Sequence, residues 1–206
     1  MKILITGFEP FGDEKVNPSF EVVKKLHDSY GSAEIIKLQV PVVYHKSIDL
    51  VINKIKDLQP AVVLMLGQAG GRTDITIERI AININDSRLA DNEGVIIEGE
   101  PICDAGAPAH FSTLPVKQIS VRIREKGIPA SVSNTAGAYI CNQLMYGVLR
   151  FIDVNKLAIR AGFIHIPYLH EQVTSKNNTA SMAMDTMIAG IESAIATLIE
   201  EGKTDE

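Results

Sequence analysis

The chain has 206 residues, with 20 Lys or Arg against 25 Asp or Glu, a formal net charge of −5. That balance offers no basic stripe to neutralise phosphates, which argues against nucleic acid as the main partner. Apolar residues make up 46% and charged residues 22%, the composition of a globular protein, and no run approaches the ~20 apolar residues of a membrane-spanning helix.

Residues 2–6 read as a buried strand ended by Gly7, and the opening apolar run is too short for a signal peptide. Asn17-Pro18 then reads as a helix start, with Asn as cap and Pro at the first helical position. Phe20, Val23 and Leu26 follow at helical spacing. Residues 35–40 form a second expected strand and 44–58 a second helix, with Ile48, Val51, Ile52 and Ile55 on one face. Residues 61–66 are an almost pure apolar run ended by Gly67, as expected of a central parallel strand. Across 74–84 apolar and polar residues alternate, which predicts an antiparallel or edge-like region. Residues 86–109, rich in Gly, Pro and Asp, predict an excursion of turns and short strands.

A helix is expected over 115–126, a short strand over 130–133, and a helix carrying Cys141 that runs to about Phe151. Residues 157–166 are the last core strand. A final helix over 179–200 carries Met184, Met187, Ile188, Ile191, Ile195 and Leu198 as an apolar stripe, which is core or a subunit interface. Alternating strands and helices predict one α/β domain over 1–206, a mostly parallel twisted sheet covered by helices on both faces.

Two cysteines, Cys103 and Cys141, are too few for a disulfide framework, and a reducing cytoplasm is the simplest compartment. Cys141 follows a short strand and a small-residue turn, near a helix start where unpaired N–H groups and the helix dipole favour a thiolate. It is either a small buried hydrophobe or a reactive centre. His165 ends an apolar strand and is placed to point into a cleft. His165 and His170 lack zinc-site spacing, and no Gly-x-Ser-x-Gly elbow exists. Gly7-Phe8-Glu9-Pro10-Phe11-Gly12 fails both nucleotide-binding fingerprints, which leaves Phe8 and Phe11 as an apolar pocket wall or as packing beneath the loop. The loop Gly67-Gln68-Ala69-Gly70-Gly71-Arg72 reads as an anion nest or as backbone passing close to a ligand or subunit. By default Glu78-Arg79 is a surface ion pair.

Five segments in order resemble the pyroglutamyl peptidase I family of cysteine peptidases, also called pyrrolidone carboxyl peptidases, over nearly the whole chain. They are Gly7-Phe8-Glu9-Pro10-Phe11-Gly12 with Asn17-Pro18-Ser19, the Gly67–Arg72 loop, Glu78-Arg79-Ile80-Ala81-Ile82-Asn83, the run from Asn134 through Cys141-Asn142, and His165-Ile166-Pro167. The resemblance implies a triad of Glu78, Cys141 and His165. It implies removal of an N-terminal pyroglutamyl residue from peptides through a thioester, no metal or other cofactor, and a cytoplasmic homotetramer. The expected oxyanion donors are the Cys141 N–H and, by resemblance, Arg88. The substrate ring is expected between Phe8, Phe11 and the region of Tyr139 and Ile140, with Gln68 and Asn17 as candidates for the lactam polar groups. His165 is expected to take the thiol proton and hold a persistent thiolate–imidazolium pair, steadied by Glu78. Cys103 is expected to be structural. Two rivals remain: a phosphorylase-like enzyme that holds phosphate on the glycine loop and Arg72, and a non-catalytic binder of pyroglutamyl N-termini.

Overall fold

The structure, a computed structural model, describes residues 1–202; residues 203–206, part of the expected domain, lie outside the described residues. Lys2–Phe8 (β1) is buried at every position after Lys2, as an apolar strand covered on both faces must be. Pro18–Lys25 (α1) begins as its sequence dictates: Asn17 caps it, accepting from the Ser19 N–H at 3.1 Å, and Pro18 needs no amide donor there. Ser29–Tyr30 (β2), Ala33–Val40 (β3), Lys46–Leu58 (α2), Val62–Gln68 (β4), Ile75–Glu78 (β5) and Ile80–Ile82 (β6) follow. The second half holds Ala109–Phe111 (β7), Val116–Glu125 (α3), Ala130–Ser133 (β8), Ile140–Val154 (α4), Arg160–Ile166 (β9), Tyr168–Leu169 (β10), Ser181–Met182 (β11) and Met184–Glu201 (α5).

Seven strands form one sheet in the order β2-β3-β1-β4-β9-β5-β8. Strands β3, β1, β4 and β9 are mutually parallel, while β5 runs antiparallel to β9 and parallel to β8. Helices α2 and α4 pack on one face over Leu4, Met65 and Phe163, and α1, α3 and α5 pack on the other over Ile5, Leu64 and Ile164. The described residues thus form a single α/β domain with a mostly parallel sheet between helical layers. No helix among them is long and apolar enough to cross a membrane.

Two local expectations change, the place of β5 and the start of the last helix. The alternating segment is antiparallel as expected, but β5 lies inside the sheet rather than at its edge, because β8 pairs on its outer side. β9 is also interior, between β4 and β5. The last helix starts at Met184, since Ser181–Met182 is drawn into backbone pairing with Tyr168–Leu169. Its stripe faces the core, as one of the two expected readings has it: Met187, Ile191, Ile195 and Leu198 are fully buried, and the half-buried Met184 and Ile188 pack against the same core.

Candidate active site

In the β4–β9 register Gly67 stands beside His165, at the carboxyl ends of two parallel strands, where open α/β sheets place ligands. Across the antiparallel junction His165 faces Thr76 and Phe163 faces Glu78. Glu78 and His165 are therefore diagonal neighbours on one face, within reach of long side chains. Glu78 Oε1 lies 2.7 Å from His165 Nδ1, and both side chains are almost wholly buried. A carboxylate at Nδ1 accepts a hydrogen bond from the ring N–H, which keeps the proton on that nitrogen and leaves Nε2 as the acceptor.

Cys141 reaches the same face from α4. The 134–139 loop turns through Gly137 at φ +82°, and Tyr139 caps α4 with no side-chain hydrogen bond. The first N–H groups of the helix, including that of Cys141 at its second position, are left for other acceptors. A Cβ at Gly67 would stand 3.0 Å from Cys141 Sγ and 2.7 Å from the Phe163 ring. The half-buried thiol is thus seated over β4 at the residue paired with His165. Asn142, fully buried, holds the helix start in place: its carboxamide accepts from the Ile82 N–H at 2.9 Å and donates to the carbonyls of Ile82 and Ile84 at 2.9 and 3.0 Å.

Burial governs the charges. It pushes the Cys141 thiol up to about 12, with the Glu78 charge adding to the rise and Arg72 and the Cys141 N–H opposing it. Burial also depresses the His165 imidazole against the pull of Glu78, and Arg72 depresses it further. For Glu78, burial is outweighed by the His165 hydrogen bond and charge, by the Ser133 hydroxyl and by Arg72, which hold the carboxyl below its usual range. Burial thus favours the neutral thiol and the neutral imidazole, and works against the help that the helix start gives to the expected thiolate–imidazolium pair.

The Glu78-Arg79 surface pair does not form. Arg72 pairs with Glu78 instead, Nη1 lying 2.5 Å from Oε1, and its Nη2 donates to the Thr135 carbonyl at 3.0 Å. The Arg72 guanidinium is thereby committed to Glu78 and Thr135. Gly70 is required by packing, since a Cβ there would stand 2.3 Å from Tyr168. Arg72 and Phe163 were missed as site residues. The Gly-Gly-Arg run signalled a special arginine but not its partner, and Phe163, whose ring centroid lies 4.7 Å from that of His165, reads as ordinary core in a strand.

The candidate pocket residues divide. Phe11 and Tyr139, both half-buried, stand with ring centroids 6.3 Å apart, and Tyr44 meets Tyr139 edge-on at 5.7 Å. Phe8 is buried against Phe163 and forms the floor beneath them. The Tyr139 hydroxyl donates to the Ala90 carbonyl at 2.9 Å. Ile140 is 1% exposed and packs in the same cluster as Phe8, with Phe11, Tyr139 and Cys141 against it. Asn17 spends its side chain on Ser19 and on the Glu9 carbonyl, at 2.9 Å, and is a helix cap rather than a ligand contact. Strand alternation turns the Gln68 side chain to the opposite face from Gly67, where Oε1 accepts from Gln172 Nε2 at 2.9 Å. Arg88 is exposed, between Asp86, whose N–H donates to Ala138 at 2.8 Å, and Ala90, held by Tyr139. The 86–91 segment is therefore strapped to the residues just before Cys141. Cys103 lies apart, its backbone N–H and carbonyl both held by Asn83, in keeping with a structural role.

Residues 1–201 match the family described as pyroglutamyl peptidase. The chain is 53% identical over 203 residues to pyrrolidone-carboxylate peptidase 2 of Caldanaerobacter subterraneus subsp. tengcongensis, covering 98% of each. It is 50% identical over 206 residues to the pyrrolidone-carboxylate peptidase of Lactobacillus johnsonii, covering 100% of this chain and 96% of that one. The crystal structure of pyroglutamyl peptidase I from Bacillus amyloliquefaciens superposes with a TM-score of 0.92 at 45% identity, over 95% of this chain and 93% of that one. A mutant pyrrolidone carboxyl peptidase from Pyrococcus furiosus superposes at 0.94 with 40% identity, over 98% and 99%. With family match, sequence identity and fold in agreement over nearly its whole length, the chain belongs to the pyroglutamyl peptidase family.

Proposed function

We propose that this protein is a cysteine peptidase that hydrolyses the bond after an N-terminal pyroglutamyl residue and releases pyroglutamate. The observation that carries the reading is the 2.7 Å contact of Glu78 with His165 Nδ1, together with a thiol seated over Gly67, the register partner of His165. In this reading Cys141 is the nucleophile, His165 the general base and acid, and Glu78 the group that orients the imidazole.

His165 Nε2 takes the thiol proton, and Sγ attacks the pyroglutamyl carbonyl. The oxyanion is received by the Cys141 N–H, with Arg88 on its strap as the cation. The imidazolium then protonates the departing amine, leaving a thioester. A water deprotonated by His165 attacks that thioester, and the thiol leaves with the returned proton. One oxyanion donor of this kind is typically worth ~10²–10³ in rate.

The substrate ring is read as lying against Phe11 and Tyr139, over the Phe8 floor, with its lactam met by backbone groups at the β4 end. A site that hydrogen-bonds the ring carbonyl rejects proline by about 10⁴ or more, since its donors would be left unpaired. We further infer a single domain over 1–206, a cytoplasmic setting, and self-association through the 86–111 region. There Leu89, Ile96 and Phe111 are 45%, 51% and 65% exposed. The phosphorylase-like alternative loses its cation to Glu78.

The test is release of a fluorophore from a pyroglutamyl amide beside the matching prolyl amide, with and without iodoacetamide. Cleavage of only the pyroglutamyl compound, lost on alkylation and in Cys141→Ala, is the expected result. A folded, reduced sample that cleaves neither overturns the reading.

A further inference from the structure

Glu78 Oε1 serves two charged donors at once: Arg72 Nη1 at 2.5 Å and His165 Nδ1 at 2.7 Å. Its other oxygen, Oε2, is buried and has no hydrogen-bond partner among the described residues. A carboxylate with two equivalent oxygens and two donors would ordinarily give one to each. The shared oxygen is explained by where the guanidinium is anchored. Nη1 also donates to Thr76 Oγ1, and Nη2 donates to the Thr135 carbonyl at 3.0 Å. A planar fork fixed at those points can meet Glu78 only on the edge that already faces His165.

The same guanidinium links the pieces that deliver two of the three site residues, Glu78 and Cys141. Arg72 belongs to the loop between β4 and β5, Glu78 ends β5, and Thr135 lies in the loop that leads to Cys141. We propose that Arg72 is a positioning residue for this site: it holds Glu78 Oε1 against the imidazole, ties that carboxylate to the thiol-bearing loop, and limits how far Glu78 favours the imidazolium. The proposal rests on the peptidase reading above.

The charged groups acting on His165 are Glu78 from β5 and Arg72 from the preceding loop, while Cys141 faces the site from α4 and Phe163 stacks on the ring. Arg72 depresses the imidazole and Glu78 raises it. A carboxylate already paired with a permanent cation has less attraction to offer a second one. Its main service to His165 is then orientation and tautomer choice.

The test compares Arg72→Met and Arg72→Lys with the wild type on a pyroglutamyl amide. The readouts are kcat and KM across pH, the His165 ring titration by ¹⁵N NMR, and thermal melting. Arg72→Met is expected to lower kcat about 10²-fold with KM little changed, as a misplaced catalytic group does. Removing the cation should also move the acidic limb of kcat/KM and the His165 midpoint to higher pH. Arg72→Lys should keep limb and midpoint near the wild type while kcat still falls, because one ammonium cannot span Glu78 and Thr135 together.

A lower melting temperature in Arg72→Met, with limb and midpoint unmoved, would assign Arg72 a purely structural role and overturn the proposal. Unchanged kcat in Arg72→Lys would do the same for the bridging part. If the wild type cleaves no pyroglutamyl amide, the peptidase reading fails by itself, and the NMR midpoint still decides the link between Arg72 and His165.

Discussion

Gly67 and Cys141 share one volume: a Cβ on the glycine would stand 3.0 Å from the cysteine sulfur, closer than ordinary van der Waals contact. The thiol sits where it does because β4 ends in a residue without a side chain. Gly67→Ala should therefore fold but displace either Sγ or the Phe163 ring, also within 3 Å. We expect kcat to fall about 10²-fold with a melting temperature near that of the wild type. Activity within a few-fold of the wild type would mean that the thiol tolerates the shift.

The protonation state of the pair can be read by alkylation. With the thiol pushed up to about 12 by burial and the imidazole depressed, the thiolate fraction is small at neutral pH and grows as pH rises. In a Cys103→Ser background, iodoacetamide should modify Cys141 at a rate that climbs steadily from pH 6 to pH 9. A plateau across that range would show a preformed thiolate–imidazolium pair.

Stability should fall on acidification, and the sign follows from the directions. His165 is held below its ordinary 6.5 and Glu78 below its ordinary 4.5, so each binds protons more readily in the unfolded chain. Their contribution is fully present above about pH 6.5 and is lost as pH falls, first through His165 and then through Glu78. His110, also depressed by burial, acts in the same sense. The melting temperature of His165→Asn should thus decline less between pH 7 and pH 5 than that of the wild type; parallel declines would remove His165 from the account.

Asn142 is a packing determinant next to the thiol. Its carboxamide satisfies one backbone donor and two backbone acceptors at Ile82 and Ile84. Asn142→Ala leaves these groups unpaired in a buried place and should cost about 2–4 kcal/mol. Denaturant unfolding measures this directly, and a change below about 0.5 kcal/mol would show that water replaces the side chain.

Glu78→Gln should lower kcat by ~10² or more while changing KM little, because the amide no longer selects the Nδ1–H tautomer as a carboxylate does. A rate equal to the wild type would leave Glu78 as an ion-pair partner of Arg72 alone.

Much of this protein was legible in one dimension. Apolar runs marked β1 and β4, Asn17-Pro18 marked the start of α1, and residues 130–133 were placed as a strand with the observed bounds. These are local effects of burial period, capping and backbone restriction, and adjacent residues suffice to determine them. The chain also named Glu78, Cys141 and His165, through motifs in a family's order. The partner of Glu78 was not local: Arg79 is adjacent in sequence, yet the carboxylate points along the face that Arg72 reaches from the preceding loop. Nor did the sequence settle the protonation state, since the helix start favours a thiolate while burial, a property of the assembled layers, favours the thiol. Likewise the direction of the Gln68 side chain, toward Gln172 and away from the Gly67 face, follows from strand alternation and its neighbours. Side-chain direction and desolvation depend on elements far apart in the chain, so only the tertiary structure decided them.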